Sequence, residues 1–496
     1  MSKENSLEQK TIKGLMWSFG DLIANQFIQF VIQIILARLL LPENFGLIGM
    51  VLVFIAFSNL LIDSGITQAL IRETNAHQKD YSTIFYFNLF MSFALYGVLF
   101  LLSPMISDFF HEPQLIVILR VLSLVILINS VSIIHRTQLM KRIEFKTQTK
   151  INIASGIISG IIAVFLALND YGVWSLVARL LSLQILQTAL LWVLTRWRPS
   201  FEFDYSSFRR MFGFGWKILV SGLITTFYSN ILYILIGRMY SSSQLGYFTN
   251  ASKLNEVASQ SITIALQRVT YPVLCSIQNE EKMLKQGFRR LIRTSTFINF
   301  PIMVGLAAIA PSLIDLLYGD IWRPMVIYFQ LLCFAGMLYP IHAINLNILQ
   351  VKGRPDLYLK INILKKLITT SLIIVSIWLE LGVIGLVGAL VVDSYLAFLI
   401  NSFFSERVIS YSSIEQIKDL LMFFINTIIM GVIVYFSAVL LPGNNLFTII
   451  TQIVTGIFVY IGLSRLTKIR ELKEVWELIR YIISKPSNRK YIKQNV

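Results

Sequence analysis

The chain has 496 residues, of which 55% are apolar and 14% charged, with a formal net charge of +16. That balance excludes a water-soluble domain, which at this length would expose large apolar patches, and makes lipid the solvent. Two cysteines, Cys275 and Cys333, and four scattered histidines exclude a disulfide framework and a metal cage as organising features, so neither metal nor cofactor is expected.

The first residues, MSKENSLEQKTIKG, are polar, and the apolar run from Leu15 to Leu41 is too long for a signal-peptide core, so the first helix is expected to stay. Apolar runs and polar breaks then predict helices near 15–40, 46–71, 83–107, 114–135, 149–168, 173–195, 214–237, 245–272, 294–317, 325–349, 361–379, 383–404, 419–441 and 446–464. The fold class is thus all-α, a polytopic membrane protein of about fourteen spans. Connections alternate sharply in Lys and Arg. The basic set comprises the N-terminus, the stretches Arg136 to Lys150, Arg196 to Lys217 and Lys282 to Arg293, the Lys352/Arg354/Lys360 loop, and the tail from Arg465; the intervening loops hold only Arg38, Arg238 and Arg323. The positive-inside rule makes the basic set cytoplasmic, which puts both termini there and requires an even helix count. The positive charge is then topology and attraction to anionic lipid headgroups, leaving nothing to support nucleic-acid binding.

The chain repeats itself. KINI occurs at Lys150 to Ile153 and at Lys360 to Ile363, followed at equal distance by GVWSLV from Gly172 and GVIGLV from Gly382. Earlier in each half, LARLLLPENFGLIGM and IGRMYSSSQLGYFTN pair Arg38 with Arg238 and Gly46 with Gly246. An even number of helices per repeat gives both halves the same orientation in the membrane. The expected organisation is a six-helix lobe over 1–197, an aromatic and basic cytoplasmic linker over 198–217, a second six-helix lobe over 218–412, two further helices over 413–466 and a basic, partly amphipathic tail over 467–496.

The segment from Gly14 to Ile71, with WSFG, ARLLLPENFGLIGM and FSNLLIDSGITQALI, resembles the opening of the WzxC-like polysaccharide exporters, a branch of the multidrug/oligosaccharidyl-lipid/polysaccharide exporter superfamily. RTQLMKRIEFKTQTKINIAS and the block from YPVLCSIQNEEKM through LLYGDIWRPMVIYFQLLC, with Gly319 and Trp322, extend the resemblance over nearly the whole chain. It implies two pseudo-symmetric lobes in a V, alternating access, a bacterial inner-membrane location, and transfer of an undecaprenyl-diphosphate-linked glycan to the outer leaflet for surface polysaccharide synthesis. It also implies membrane lipids, pathway glycosyltransferases and a polymerase as partners.

Charged groups at membrane depth are costly and usually face a cavity or a partner. At 1.5 Å per residue, Arg120, Arg179 and Lys253 lie roughly 9 to 12 Å below the outer ends of their helices and are candidates for a diphosphate head group. The alternative is that each is a structural ion pair or snorkels, with Glu256 placed to pair with Lys253. The first helix carries Asp21, Asn25, Gln26, Gln29 and Gln33 within a sector of roughly 140 degrees, and the eighth carries Lys253, Glu256, Gln260, Thr263 and Gln267 within about 80 degrees. These stripes suit weak hydrogen bonding to sugars, or interhelical pairing. Asp21, Asp63 and Asp393 are candidates for a coupling proton or sodium ion, each with a structural ion pair as its alternative.

Two rivals remain. A cation-coupled drug exporter of the same superfamily would call for acidic groups in the outer half, where basic ones predominate. A membrane-embedded enzyme of polysaccharide synthesis would place its groups on sizeable outer loops, whereas these are short, and no catalytic grouping is apparent, so an enzyme is not expected.

Overall fold

The computed structural model describes residues 2–73, 75–440 and 443–484; within these, only the backbone is described at 2–16, 18–19, 260–262, 264–269, 272, 355, 478–479 and 481–484. The chain divides into two compact units, Met1–Asn250 and Ala251–Val496. Among the described residues there is no strand.

Unit 1 contains α1 (Ser2–Leu39), α2 (Pro42–Asp63), α3 (Ile66–Arg72), α4 (Gln78–Phe110), α5 (Leu115–Leu122), α6 (Leu124–Lys141), α7 (Phe145–Leu168), α8 (Val173–Leu194) and α9 (Tyr205–Met239), and α10 (Ser242–Ser276) begins in it. Unit 2 contains the rest of α10, then α11 (Glu281–Leu317), α12 (Met325–Gly336), α13 (Tyr339–Val351), α14 (Pro355–Trp378), α15 (Gly382–Ile409), α16 (Ser413–Leu440), α17 (Asn445–Leu466) and α18 (Glu471–Ser484). Among the described residues thirteen helical stretches are long and apolar enough to cross a membrane, three of them made of two helices in line. The fourteenth expected span corresponds to α10, a continuous helix whose polar residues set it apart from those thirteen.

The three breaks have local causes. Between α2 and α3, Ser64 and Gly65 take positive φ of 46° and 66°, the left-handed conformation that stops a helix. Between α5 and α6, Ile126 N–H bonds Ser123 C=O at 3.0 Å, three residues back, a local tightening of the helix. Between α12 and α13, Pro340 has no N–H to give the carbonyl of Gly336. Asn299 of α11 supplies the missing donor, its Nδ2 lying 3.2 Å from Gly336 O and 2.8 Å from Met337 O, and Ser394 Oγ donates to Ala335 O at 2.9 Å. In lipid, where water cannot supply donors, such substitutions by neighbouring side chains are what permit a broken helix.

The expected linker at 198–217 is stitched to unit 1. Trp197 Nε1 donates to Gln78 Oε1 at 2.7 Å, Ser200 N to Ser82 Oγ at 2.9 Å and Asp204 N to Thr83 Oγ1 at 2.9 Å, all on the first turns of α4. Asp204 then caps α9, accepting from the backbone N–H groups of Ser206 and Ser207. The Ser207 and Ser206 hydroxyls bonded to its side chain hold this carboxyl well below the usual carboxylate range, so the cap stays charged at neutral pH.

The repeat-related glycines meet face to face. A Cβ on Gly46 would lie 1.8 Å from Ser242 O, and one on Gly246 would lie 1.8 Å from Pro42 O. The first turns of α2 and α10 therefore cross backbone to backbone, which only glycine at both positions allows.

In unit 2, Asp419 of α16 accepts from Arg289 Nε at 2.5 Å, Arg293 Nη1 at 2.9 Å and the Tyr411 hydroxyl at 2.6 Å. Arg293 also pairs with Glu471, and Arg290 Nε meets Glu474 Oε2 at 3.0 Å, so the same face of α11 fastens α18.

Candidate functional site

The polar interior of unit 1 is built along α8. Gly172, with φ of 53°, turns the chain into this helix, and Arg179 falls in its second turn. Arg179 is only 8% exposed, yet its partners are neutral. Nη1 donates to Gln33 Oε1 at 3.0 Å and Nη2 to Gln29 Oε1. Gln29 and Gln33 are four residues apart on α1, so both side chains rise from one helix face. Gln33 passes the polarity on, its Nε2 donating to Asn250 Oδ1 at 2.7 Å, and Asn250 Nδ2 in turn reaches Gly246 O at 3.2 Å. Both glutamines thus turn acceptors toward the guanidinium, and among the described residues no carboxylate is paired with it.

Further along α8 the pattern continues with amides. Gln187 Nε2 donates to Asn152 Oδ1 at 3.4 Å, and Asn152 Nδ2 reaches Asp21 Oδ2 at 3.2 Å. Gln184 Nε2 donates to Asn129 Oδ1 at 3.2 Å, and Asn129 Nδ2 to Asn59 Oδ1 at 2.9 Å. Helices α1, α2, α6, α7 and α8 are thereby joined by side chains that can also exchange partners with a hydroxyl-rich ligand.

The other residues singled out in the sequence fall in separate places. Arg120 donates from Nε to Ser103 Oγ at 2.8 Å and lies 4.2 Å from the Phe100 ring centroid, both on α4. Lys253 pairs with Glu256 at 3.7 Å, both well exposed. The partners of Arg120 and Lys253 are thus different from the two glutamines that hold Arg179. Asn25 is half-buried on α1 between Asp21 and Gln29, while the side chains of Gln260 and Gln267 lie outside the described residues. Asp63 ends α2, bonded to Thr67, with Oδ1 buried and unpaired.

Asp393 belongs to a cluster in unit 2. Thr369 Oγ1 donates to its Oδ1 at 2.7 Å, and Lys365 and Lys366 of α14 lie close enough to act on the same carboxylate. Nearby, His342 sits between Ser394 Oγ at 3.1 Å and Asn401 Nδ2 at 3.3 Å. Since Ser394 gives its proton to Ala335 O and Asn401 Nδ2 is a donor, the imidazole is neutral with its proton on Nε2. Sequence reasoning missed Lys365 and Lys366, although a lysine doublet inside the apolar run INILKKLITTSLIIV is a visible signal; it also missed Asn152, Asn250 and the Asn59–Asn129–Gln184 chain, which only the packing brings together. Among the described residues no three His, Cys, Asp or Glu side chains are grouped to hold a metal ion, and Cys275 and Cys333 are free.

Among the described residues, an all-helical architecture with thirteen recognisable spans and a buried cation among amides is that of a polytopic membrane transport protein. A family model described as "Polysaccharide biosynthesis protein" matches residues 35–327, and the chain belongs to that family. It is 27% identical over 358 residues to the teichuronic acid biosynthesis protein TuaB of Bacillus subtilis, covering 71% of this chain and 73% of that one. It is 24% identical over 377 residues to the lipopolysaccharide biosynthesis protein WzxC of Escherichia coli, covering 75% and 76%. The fold is that of the lipid II flippase MurJ, with a TM-score of 0.73 at 15% identity over 92% of this chain and 98% of that one. It is also like a multidrug-resistance MATE-family transporter in its inward-facing form, with a TM-score of 0.60 at 16% identity over 78% and 94%.

Proposed function

We propose that this protein carries a lipid-linked oligosaccharide from the cytoplasmic to the outer leaflet of the bacterial inner membrane by alternating access, for surface polysaccharide synthesis. The observation that carries the reading is Arg179: a buried guanidinium in a membrane-spanning helix, held by two amide carbonyls. A fixed cation in low dielectric that lacks a carboxylate is prepared for an anion supplied from outside the protein, and a diphosphate joined to a lipid is such an anion. The names of relatives agree, among them the succinoglycan biosynthesis transport protein ExoT of Rhizobium meliloti, 24% identical over 320 residues.

In this reading Arg179 anchors the diphosphate, and the amides of α1, α6, α7 and α8 give sugars exchangeable hydrogen bonds. Arg120 and Lys253 are secondary anchors, since a hydroxyl and ring face engage one and Glu256 the other. Asp21, Asp63 and Asp393 are the candidate carriers of a coupling proton or sodium ion, Asp393 with Lys365 and Lys366 as its neighbouring charges. Both termini are cytoplasmic, and the protein works with glycosyltransferases and a polymerase of its pathway.

Deleting the gene tests the proposal. Loss of surface polymer with lipid-linked units trapped in the cytoplasmic leaflet is the expected result. Normal polymer with raised sensitivity to cationic drugs would replace it by the drug-exporter reading, and unpolymerised units gathering on the outer side would move the protein to a later enzymatic step.

A further inference from the structure

The last turn of α6 borders a recess that plays no part in the transport reading. Gln138, Lys141 and Arg142 fall on one side of that helix end, at i, i+3 and i+4, and with Ala76 and Tyr81 from the start of α4 and the segment before it they enclose about 240 Å³. Gln138 is only 6% exposed, yet its side-chain amide has no hydrogen-bond partner among the described residues, and it lines the recess. A buried amide is costly to leave in that state. The two cations beside it are not neutralised. Lys141 Nζ donates to Leu70 O at 3.2 Å and to Glu73 O at 2.5 Å, neutral carbonyls at the end of α3, and lies 5.7 Å from the Tyr81 ring centroid. An ammonium has three donors, so one remains. Arg142 is exposed and forms no ion pair among the described residues.

The neighbouring acids are committed elsewhere. Glu73 pairs with Arg210 at 3.7 Å, while Asp80 accepts from His77 N at 2.7 Å, the Ser207 hydroxyl at 2.5 Å and Arg210 Nη2 at 3.2 Å. Glu144 is exposed and does not line the recess. Nor do the end carbonyls of α6 oppose an anion, because the chain closes them itself: Ile143 N–H bonds Met140 O at 3.1 Å and Glu144 N–H bonds Leu139 O at 2.9 Å.

We propose that this recess binds a phosphate ester carrying a small polar group such as glycerol, with Lys141 and Arg142 on the phosphate and Gln138 on the hydroxyls. Two converging cations that lack a carboxylate call for an anion, and an unpartnered amide, donor and acceptor at once, calls for hydroxyl groups. At about 240 Å³ the recess is smaller than the roughly 300–1,000 Å³ of drug-sized pockets, which suits a headgroup rather than a nucleotide. By the expected topology the end of α6 is cytoplasmic, where this chemistry has two sources: the headgroup of an anionic phospholipid of the inner leaflet, and a soluble glycerol phosphate. None of the residues assigned to the carried glycan lines the recess, so the proposal stands whether or not the transport reading does. Its occupant would tie the end of α6 to the connection between α3 and α4.

The test measures thermal unfolding of the full-length protein in neutral detergent, alone and with short-chain phosphatidylglycerol, with glycerol 1-phosphate, or with short-chain phosphatidylcholine. A ligand that binds only the folded protein raises the unfolding temperature as its concentration passes its Kd. Phosphatidylglycerol, glycerol 1-phosphate or both are expected to raise it, and phosphatidylcholine to leave it unchanged. Gln138→Glu sets a carboxylate beside Lys141 and Arg142 in the ligand's place; the ligand-free protein should be as stable as the wild type or more so, and apparent affinity should fall about tenfold or more. Arg142→Gln, at an exposed position, should lower affinity about fivefold with little change in ligand-free stability, and decides the matter if Gln138→Glu does not fold. A response to phosphatidylglycerol alone assigns the site to the lipid, one to glycerol 1-phosphate alone assigns it to a soluble metabolite, and one to both assigns it to the shared headgroup. No response to either, an equal response to phosphatidylcholine, or a response that Arg142→Gln leaves unaltered overturns the proposal.

Discussion

Arg179 can be separated from a structural arginine by the sign of its effect on stability. Removing one member of a buried ion pair strands the other charge and costs about 3–5 kcal/mol. Arg179 leaves no carboxylate behind, only Gln29 and Gln33, which keep a partner if a glutamine replaces it. Arg179→Gln is therefore expected to unfold in detergent at the wild-type temperature or above it while transport falls at least tenfold; a large drop in unfolding temperature would make the residue structural. Asp419 is the opposite case. It is 7% exposed at the side chain and neutralises Arg289 and Arg293 together. Asp419→Ala should destabilise the protein by about 2–3 kcal/mol, less than a fully buried pair because the arginines reach solvent; thermal unfolding in detergent reads the difference. At this scale the sequence was informative only along single helices. The Asp21-to-Gln33 stripe and the Lys253–Glu256 pair follow from helical spacing, whereas Asn250 and Asn152 are joined to that stripe through space, by neighbours that no periodicity reveals.

At the scale of elements, hydropathy located the spans because twenty apolar residues have little alternative to a membrane helix, but it passed over three interruptions within them. Apolar residues fill both sides of each break, so composition does not change there. The causes are single residues: Ser64 and Gly65 in the left-handed region, and Pro340 with its unbonded carbonyls given to Asn299. Helix α9 starts nine residues earlier than the apolar pattern predicts, since Asp204 caps it inside the polar stretch. The crossing of α2 and α10 carries a prediction of its own. Gly46→Ala and Gly246→Ala each place a methyl group 1.8 Å from a carbonyl oxygen that belongs to backbone and cannot swing aside. Each should cost about 3 kcal/mol and lower the yield of folded protein, measured by size-exclusion profile after extraction, whereas Gly97→Ala, with nothing within 4 Å, should leave the profile unchanged.

For the whole molecule, the proposed orientation rests on the distribution of Lys and Arg, which side-chain contacts do not encode. With Cys275 and Cys333 replaced by serine, single cysteines at Asp170 and Glu380 should react with a membrane-impermeant maleimide added outside intact cells. Cysteines at Glu144 and Ser200 should react only after the membrane is opened; reversed labelling would invert the topology. Unit 1 runs on to Asn250 and takes in α9, whose Ser207 and Arg210 both bond Asp80 of α4.

The reciprocal crossing at Gly46 and Gly246 bears on how such a chain came about. Each glycine rests on the residue that corresponds to the other's support, Ser242 for one and Pro42 for the other, so the contact is self-complementary. A polypeptide carrying only the earlier copy already owns both sides of it and can bind a second molecule of itself there. Duplication and fusion of such a self-pairing ancestor would leave its descendants free to diverge along most of their length, with those two small residues inherited jointly because neither can change without the other's backbone being pushed away.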